Sequence, residues 1–187
     1  MSNMADVLTN PDRFFSELST RDVNLKTPLV IVLVSAIIGT TAHVMVIWTT
    51  MMMFSHPVMA VQFVITSFVE HFMTWLKFAA LFYIISMLLK GEGSFERCLE
   101  FTGYGFIPYI IAGIVTITVV LPTVRFSLEN LQLMYSAMPI SNIIKTLFML
   151  WSSGIWLFGI KHARNISTKS AMITVGINMC LYLLYVL

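Results

Sequence analysis

Polar side chains recur along one face of an otherwise apolar stretch, where they could form an intramembrane polar site. The face is defined by spacings of three, four and three residues: Ser67, Glu70, Thr74 and Lys77. Residues at these spacings lie on the same side of an α-helix. A charged side chain left at the bilayer centre costs roughly 2.5–3.5 kcal/mol even on insertion-based scales. We therefore expect Glu70, Thr74 and Lys77 to face protein or water.

Two interpretations of this face remain open on sequence grounds. In the structural one, Glu70 and His71 lie at the outer membrane interface and Lys77 extends its side chain toward them. In the other, His43 from the preceding apolar stretch joins Glu70 and His71 as ligands of zinc or another transition metal. A histidine on an apolar helix more often hydrogen-bonds to a backbone carbonyl. The pattern therefore favours the structural interpretation, with no cofactor.

The sequence lacks the motifs of the common intramembrane enzymes and of nucleotide-driven pumps. It contains no HExxH, no Gly-x-Ser-x-Gly and no P-loop, and no aspartate falls within an apolar stretch. The two cysteines, Cys98 and Cys180, have no metal-binding or disulfide spacing. A net charge of +2 gives no indication of nucleic-acid binding. We expect a protein that is not an enzyme.

The composition requires an apolar surrounding for these residues. The chain has 187 residues, of which 58% are hydrophobic and 11% are charged, against about 45–50% and 25% in soluble domains. A core of this size cannot hide so much apolar surface from water. The sequence therefore predicts an integral membrane protein in a lipid bilayer.

Stretches without charge mark the elements that must position the polar face. No Asp, Glu, Lys or Arg occurs in residues 27–69, 101–124 or 170–187, and about 20 apolar residues suffice to span a bilayer. We predict an all-α bundle of five spans at residues 28–54, 72–89, 101–121, 140–160 and 170–187. The second span is extended outward by a helix over residues 58–70, and Pro122 ends the third.

The basic residues predict the orientation of this bundle. Eight of the 11 Lys and Arg residues fall in the N-terminal segment and the loops after the second and fourth spans, whereas Arg125 alone lies in the opposite loops. By the positive-inside rule, the N-terminus is cytoplasmic and the C-terminus is extracytoplasmic. Residues 1–27 then form a cytoplasmic segment, and residues 28–187 form the membrane domain.

A short amphipathic helix is predicted within the cytoplasmic segment. Asn10 and Pro11 form a helix-opening pair, and Phe14, Phe15 and Leu18 then share one face. This helix either lies in the membrane interface, packs under the bundle as an anchor, or binds a partner. The pattern favours the anchor over the partner-binding element.

A glycine-rich motif follows the second span and carries a family resemblance. Lys90 and Gly91 precede Gly93-Ser94-Phe95, and Gly103-Tyr104 followed by Pro108 lies at the start of the third span. With the Phe14-Phe15 opening and the closing residues 151–171, this motif resembles the Yip-one domain family of five-span membrane proteins, in its short prokaryotic branch. The resemblance covers nearly the whole chain and implies a five-span helical bundle associated with membrane organisation or trafficking.

The resemblance departs from the eukaryotic members in one respect. Those members have a long cytoplasmic N-terminal region with an acidic, aromatic motif, whereas about 27 residues precede the first span here. The resemblance therefore does not imply a small-GTPase partner. The short form suggests a plasma-membrane protein of a prokaryote.

Two functions remain open on these grounds. The favoured one is an adaptor or scaffold that binds lipid or a membrane or cytoplasmic protein. Its expected contact residues are Phe14, Phe15, Gly91, Gly93, Phe95, Gly103, Tyr104 and Pro108. The alternative is a small transporter or ion-binding protein that uses the second span, with a homo-oligomer supplying the pathway. The basic loop containing Lys161, Arg164 and Lys169 either attracts anionic lipid or, as favoured, only sets the topology.

Overall fold

All the regular secondary structure of the described residues is helical, as predicted. The computed structural model describes residues 4–53, 57–127 and 131–186, which form eight α-helices and no strand. The helices are α1 (Asp6–Thr9), α2 (Pro11–Ser19), α3 (Lys26–Met53), α4 (Pro57–Leu88), α5 (Phe95–Tyr104), α6 (Ile107–Ser127), α7 (Leu131–Ala163) and α8 (Thr168–Val186).

Four segments among the described residues are long and apolar enough to cross a membrane. They are Lys26–Met45, Val58–Leu88, Phe95–Val119 and Asn142–Ala163, and they correspond to the first four predicted spans. The fifth predicted span corresponds to α8, which is not among these four. The count of five spans and the orientation of the termini therefore stay predictions.

Two helix boundaries differ from the sequence-based expectation. The predicted helical extension over residues 58–70 is confirmed, because α4 is continuous from Pro57 to Leu88. Pro122, however, lies inside α6, which continues to Ser127, and α7 begins at Leu131 rather than near residue 140. Proline removes one backbone hydrogen bond from a helix but does not always end it, so a proline alone was an unreliable boundary.

The third predicted span is interrupted near its start. The amide of Gly105 donates to the Thr102 carbonyl at 3.2 Å and that of Phe106 donates to the Gly103 carbonyl at 3.1 Å. These hydrogen bonds join residues i and i+3, as in a 3₁₀-helix, and the tighter turn separates α5 from α6. Pro108 falls in the first turn of α6, where its missing N–H costs no helical bond.

The core is an aromatic cluster centred on Trp156 of α7. The rings of Phe78 and Phe82 on α4 lie 4.9 and 5.7 Å from the Trp156 ring, and that of Phe106 lies 6.1 Å away. The indole N–H donates to the Thr102 carbonyl at 2.8 Å. Around this cluster, α3 packs on α4 and α6, and α8 packs on α4 and α7.

Candidate functional site

Polar contacts gather at the end of the bundle where α2, the turn at residues 89–94 and the loop at residues 164–167 meet, here called the turn end. Lys161 Nζ donates to Asp12 Oδ1 at 2.7 Å, and His162 Nε2 lies 2.7 Å from the same oxygen. The hydrogen bonds from Lys161 and His162 hold the pKa of Asp12 below its usual value. These contacts join α2 to the end of α7.

Arg164 is the central residue of the turn end. Its side chain is almost fully buried, with 2% exposed. Nε donates to Ser86 Oγ at 3.0 Å, Nη2 donates to the Gly91 carbonyl at 2.6 Å, and Nη1 donates to the Gly93 carbonyl. The guanidinium also lies 4.3 Å from the centre of the Tyr83 ring. Arg164 therefore holds the turn and is not available to attract anionic lipid.

Gly93 is required by the close packing of this turn. Its φ is 128°, a conformation that side chains rarely allow. A Cβ on Gly93 would collide with the Ala163 carbonyl. Beside it, the Glu92 amide donates to the Arg164 carbonyl at 2.8 Å. The sequence motif contains Gly91 and Gly93. It gives no indication of their contact with Arg164, which is more than 70 residues away in the chain.

A second buried charge at the turn end was missed by the sequence analysis. Glu100 is buried and accepts from Arg97 Nη1 at 2.7 Å and from the Asn24 amide at 3.1 Å. Arg97 also donates to the carbonyls of Leu18 and Arg21. The i, i+3 spacing of Arg97 and Glu100 could have indicated the pair. These contacts join α5 to the segment between α2 and α3.

The expected contact residues differ in their exposure. The Phe15 ring packs 4.9 Å from that of Phe101, and the Phe14 ring packs 5.2 Å from that of Tyr104. The predicted α2 and its Asn10 cap are present, and α2 packs under the bundle. Five expected contact residues are thus buried, and three lie partly or fully at the surface. The buried ones are Phe14, Phe15, Gly103, Tyr104 and Pro108, and the others are Gly91, Gly93 and Phe95.

Among the buried five, Phe14 and Phe15 pack α2 against Tyr104 and Phe101 of α5. Contact of these residues with a partner or lipid stays a prediction of the sequence. Gly103 lies where α5 packs closely on α3, because a Cβ there would collide with the Pro28 side chain.

The polar face of α4 forms a direct ion pair. Lys77 Nζ lies 2.6 Å from Glu70 Oε1, and Thr74 Oγ1 donates to the same oxygen at 3.3 Å. The Lys77 and Glu70 side chains are 50% and 52% exposed. The predicted juxtaposition of these three residues is therefore present, and it leaves the ion pair on the outer surface of the bundle.

The Nδ1 atoms of His43 and His71 both contact Ser67 rather than the ion pair on α4. His71 Nδ1 lies 2.9 Å from the Ser67 carbonyl, and His43 Nδ1 lies 3.3 Å from Ser67 Oγ. The His71 ring also occupies the space beside Gly39. No group of three metal-ligating side chains occurs among the described residues. The structure thus does not assemble His43, Glu70 and His71, and metal binding stays a prediction of the sequence alone.

A crevice between α4 and α8 contains the ion pair. Its volume is about 200 Å³, and it is lined by Glu70, Thr74, Lys77, Phe78, Leu81, Asn178, Leu181 and Tyr182. Asn178 is 2% exposed, and within the part of the chain that the structure describes neither its amide nitrogen nor its amide oxygen has a hydrogen-bond partner.

Long apolar helices joined by buried polar contacts at one end define a helical membrane protein. The chain belongs to the Yip1 domain family, whose model matches residues 5–187. It is also 35% identical to an uncharacterized protein of the archaeon Methanocaldococcus jannaschii over 139 residues, which are 71% of this chain and 99% of that protein. This similarity supports the short prokaryotic branch. No solved structure matches the chain.

Proposed function

We propose that this protein is a non-enzymatic adaptor or scaffold of a prokaryotic plasma membrane, with the turn end as its contact surface. The excess of basic residues at the turn end supports a cytoplasmic location for it. The five-span topology and the extracytoplasmic C-terminus belong to the same proposal.

The observation that carries this proposal is the fixed geometry of the turn end. Three sets of charge-assisted hydrogen bonds, centred on Asp12, Arg97 and Arg164, join segments that are distant in the chain. Such bonds are about twice as strong as neutral ones. A surface held in one conformation loses little entropy when a partner binds. The turn end therefore has the rigidity that a contact surface needs.

The exposed residues of the turn end indicate the chemistry of the contact. Ser16 on α2 and Glu96 on α5 are exposed, as are Lys90 and Glu92 in the turn. Mixed charges of this kind suit a polar protein surface better than a purely anionic lipid surface. The proposed partner is therefore a protein.

Site-specific photo-crosslinking in native membranes tests the proposal. A benzoylphenylalanine at Ser16 or Glu96 should give one discrete adduct, whereas the same residue at Ile143, exposed on α7, should give only lipid or diffuse products. Asp12→Asn should reduce the yield of the adduct because it weakens the attachment of α2 to Lys161 and His162 on α7. Asp22→Asn, at an exposed carboxylate between α2 and α3, is the matched control and should leave it unchanged.

Equal labelling at all three crosslinker positions would contradict the proposal. So would an adduct whose yield is unaffected by reversing the charges of Lys90 and Glu92.

A further inference from the structure

The crevice between α4 and α8 has groups of different character at different depths. At about 1.5 Å per residue, Glu70 lies about 27 Å and Lys77 about 16 Å from Leu88, where α4 ends. Leu81 lies about 10 Å from the same point. Asn178 lies about 15 Å from Thr168, where α8 begins. In a hydrocarbon core of about 30 Å, Glu70 is then near the boundary farther from the turn end.

The Lys77 and Glu70 side chains carry a free-energy cost at their position in the membrane. The ion pair is half exposed on a segment that is otherwise long and apolar enough to span a membrane. The two charges compensate each other at 2.6 Å, but lipid chains offer no further hydrogen bonds to the exposed half of either group. A polar occupant that pairs with both charges would remove this cost.

Asn178 provides an independent indication of a ligand. Both polar atoms of its amide are buried without a partner, and the residue lines the same crevice. A buried amide without hydrogen bonds destabilises a fold, and natural structures seldom retain one without a reason. A ligand that both donates and accepts hydrogen bonds would satisfy it.

We propose that the crevice binds a lipid whose headgroup contains a phosphate and a primary amine. The amine donates to Glu70 at the boundary, and the phosphate accepts from Lys77, Thr74 and the Asn178 amide. Because the Lys77 ammonium reaches back to Glu70, the phosphate lies on the Glu70 side of the bilayer centre. The acyl chains pass the centre along Phe78 and Leu81. In such a lipid the amine lies outermost, the phosphate next and the chains deepest, which is the order of the groups along α4.

The apolar walls favour a lipid over a free solute of the same headgroup chemistry. Phe78, Leu81 and Leu181 line the crevice beside the polar groups, and the crevice opens on the outer surface of the bundle. A water-soluble phosphoamine would leave these walls uncovered. This site is separate from the turn end, so the two proposals can fail independently.

Thermal unfolding of the purified protein in dodecylmaltoside tests the lipid site. Dioctanoyl phosphatidylethanolamine should raise the Tm in a saturable way, because a ligand that binds only the folded state stabilises it. Dioctanoyl phosphatidylglycerol lacks the amine, and dioctanoyl phosphatidylcholine lacks the amine hydrogens. Both should need at least about tenfold higher concentrations for the same shift, a difference of about 1.4 kcal/mol. Free phosphoethanolamine should give no shift.

Variants distinguish the lipid site from a structural role. Lys77→Gln, Thr74→Val and Asn178→Leu should each raise the half-saturating concentration. Thr66→Val is the matched control, because Thr66 is exposed elsewhere on α4 and bonds only its own helix. Without added lipid, Asn178→Leu should raise the Tm by about 2–4 °C, since it removes an unpaired buried amide.

Three results would overturn the proposal. They are equal shifts with all three lipids, a response unaffected by both Lys77→Gln and Asn178→Leu, and a shift with free phosphoethanolamine equal to that with the lipid. The last result would assign the crevice to a soluble ligand and support the transport hypothesis instead.

Discussion

At the residue scale, Asp12 should make the stability of the turn end depend on pH. Its pKa is lowered in the folded protein because of the hydrogen bonds from Lys161 and His162. The carboxylate therefore stabilises the fold fully above the usual pKa of an aspartate, and this contribution disappears as the pH falls through the lower pKa of the folded state. Because the Asp12 side chain is 47% exposed, the contribution should be below about 1 kcal/mol.

Chemical unfolding in detergent between pH 3 and 7 measures this contribution. Asp12→Asn should be less stable than the native protein near pH 7, and the difference should diminish toward pH 3. Asp22→Asn should show no such difference at any pH. A constant difference between Asp12→Asn and the native protein over this range would refute the linkage.

Arg164 should be among the most sensitive residues of the protein. Arg164→Met removes the hydrogen-bond donor of the Gly91 and Gly93 carbonyls and of the buried Ser86 hydroxyl. We expect a loss of about 3 kcal/mol in the free energy of unfolding. Arg164→Lys should also be destabilised, because an ammonium cannot reproduce the planar fork of the guanidinium. Denaturant unfolding monitored by Trp fluorescence measures both losses.

Lys169→Met provides the comparison for Arg164, because Lys169 is a nearby exposed basic residue. It should change the stability by no more than about 0.5 kcal/mol. Similar losses for Arg164→Met and Lys169→Met would mean that the buried network does not stabilise the fold.

Arg164 and Lys169 also show a limit of prediction from single residues. Both were assigned to one basic loop, because the sequence alone does not distinguish a buried cation from an exposed one. What distinguishes Arg164 is the pair of carbonyls at Gly91 and Gly93, which only the folded chain brings to it. The Glu70, Thr74 and Lys77 contacts were predictable for the opposite reason, since all three lie on one helix.

At the element scale, the break between α5 and α6 depends on a close approach of Trp156. A Cβ on Gly105 would collide with the indole ring, which lies at the centre of the aromatic core. Gly105→Ala should therefore lower the Tm by several degrees, because Trp156 must move and its hydrogen bond to the Thr102 carbonyl is lost. Thermal unfolding in detergent gives the shift directly.

Gly154→Ala is the matched control on α7, since a Cβ there meets nothing within 4 Å. Alanine is favoured over glycine inside a helix by up to about 1 kcal/mol, so this variant should be as stable as the native protein or more so. A Tm for Gly105→Ala equal to that of Gly154→Ala would show that the close approach is not needed.

The break between α5 and α6 is a helix boundary that the sequence did not predict. A charge-free stretch located α3, and an apolar stretch with Lys77 as its one charge located the second half of α4. Hydrophobicity determines where a chain enters lipid. Gly103, Gly105 and Pro108 permit a bend near residue 105, but the third span was predicted at residues 101–121 as one helix. The division into α5 and α6 depends on Trp156, which is more than 50 residues away and leaves no local signal.

At the scale of the whole molecule, the number of spans decides the side on which the C-terminus lies. Helix α8 has 19 residues, which gives a length of about 28 Å against a hydrocarbon core of about 30 Å. Residues 170–187 contain no charged side chain, and α8 packs along α4 and α7. We therefore expect α8 to cross the membrane as a fifth span.

C-terminal fusions to alkaline phosphatase and to green fluorescent protein, expressed in Escherichia coli, test this expectation. With five spans and a cytoplasmic turn end, the phosphatase fusion should be active and the fluorescent fusion dark. Fusions truncated after Lys169 provide the control, and they should show the reverse pattern because they end in the first turn of α8 and lack the rest of it. Fluorescence from the full-length fusion would mean that α8 does not cross the membrane, and the lipid crevice beside Asn178 would then lose its place in the bilayer.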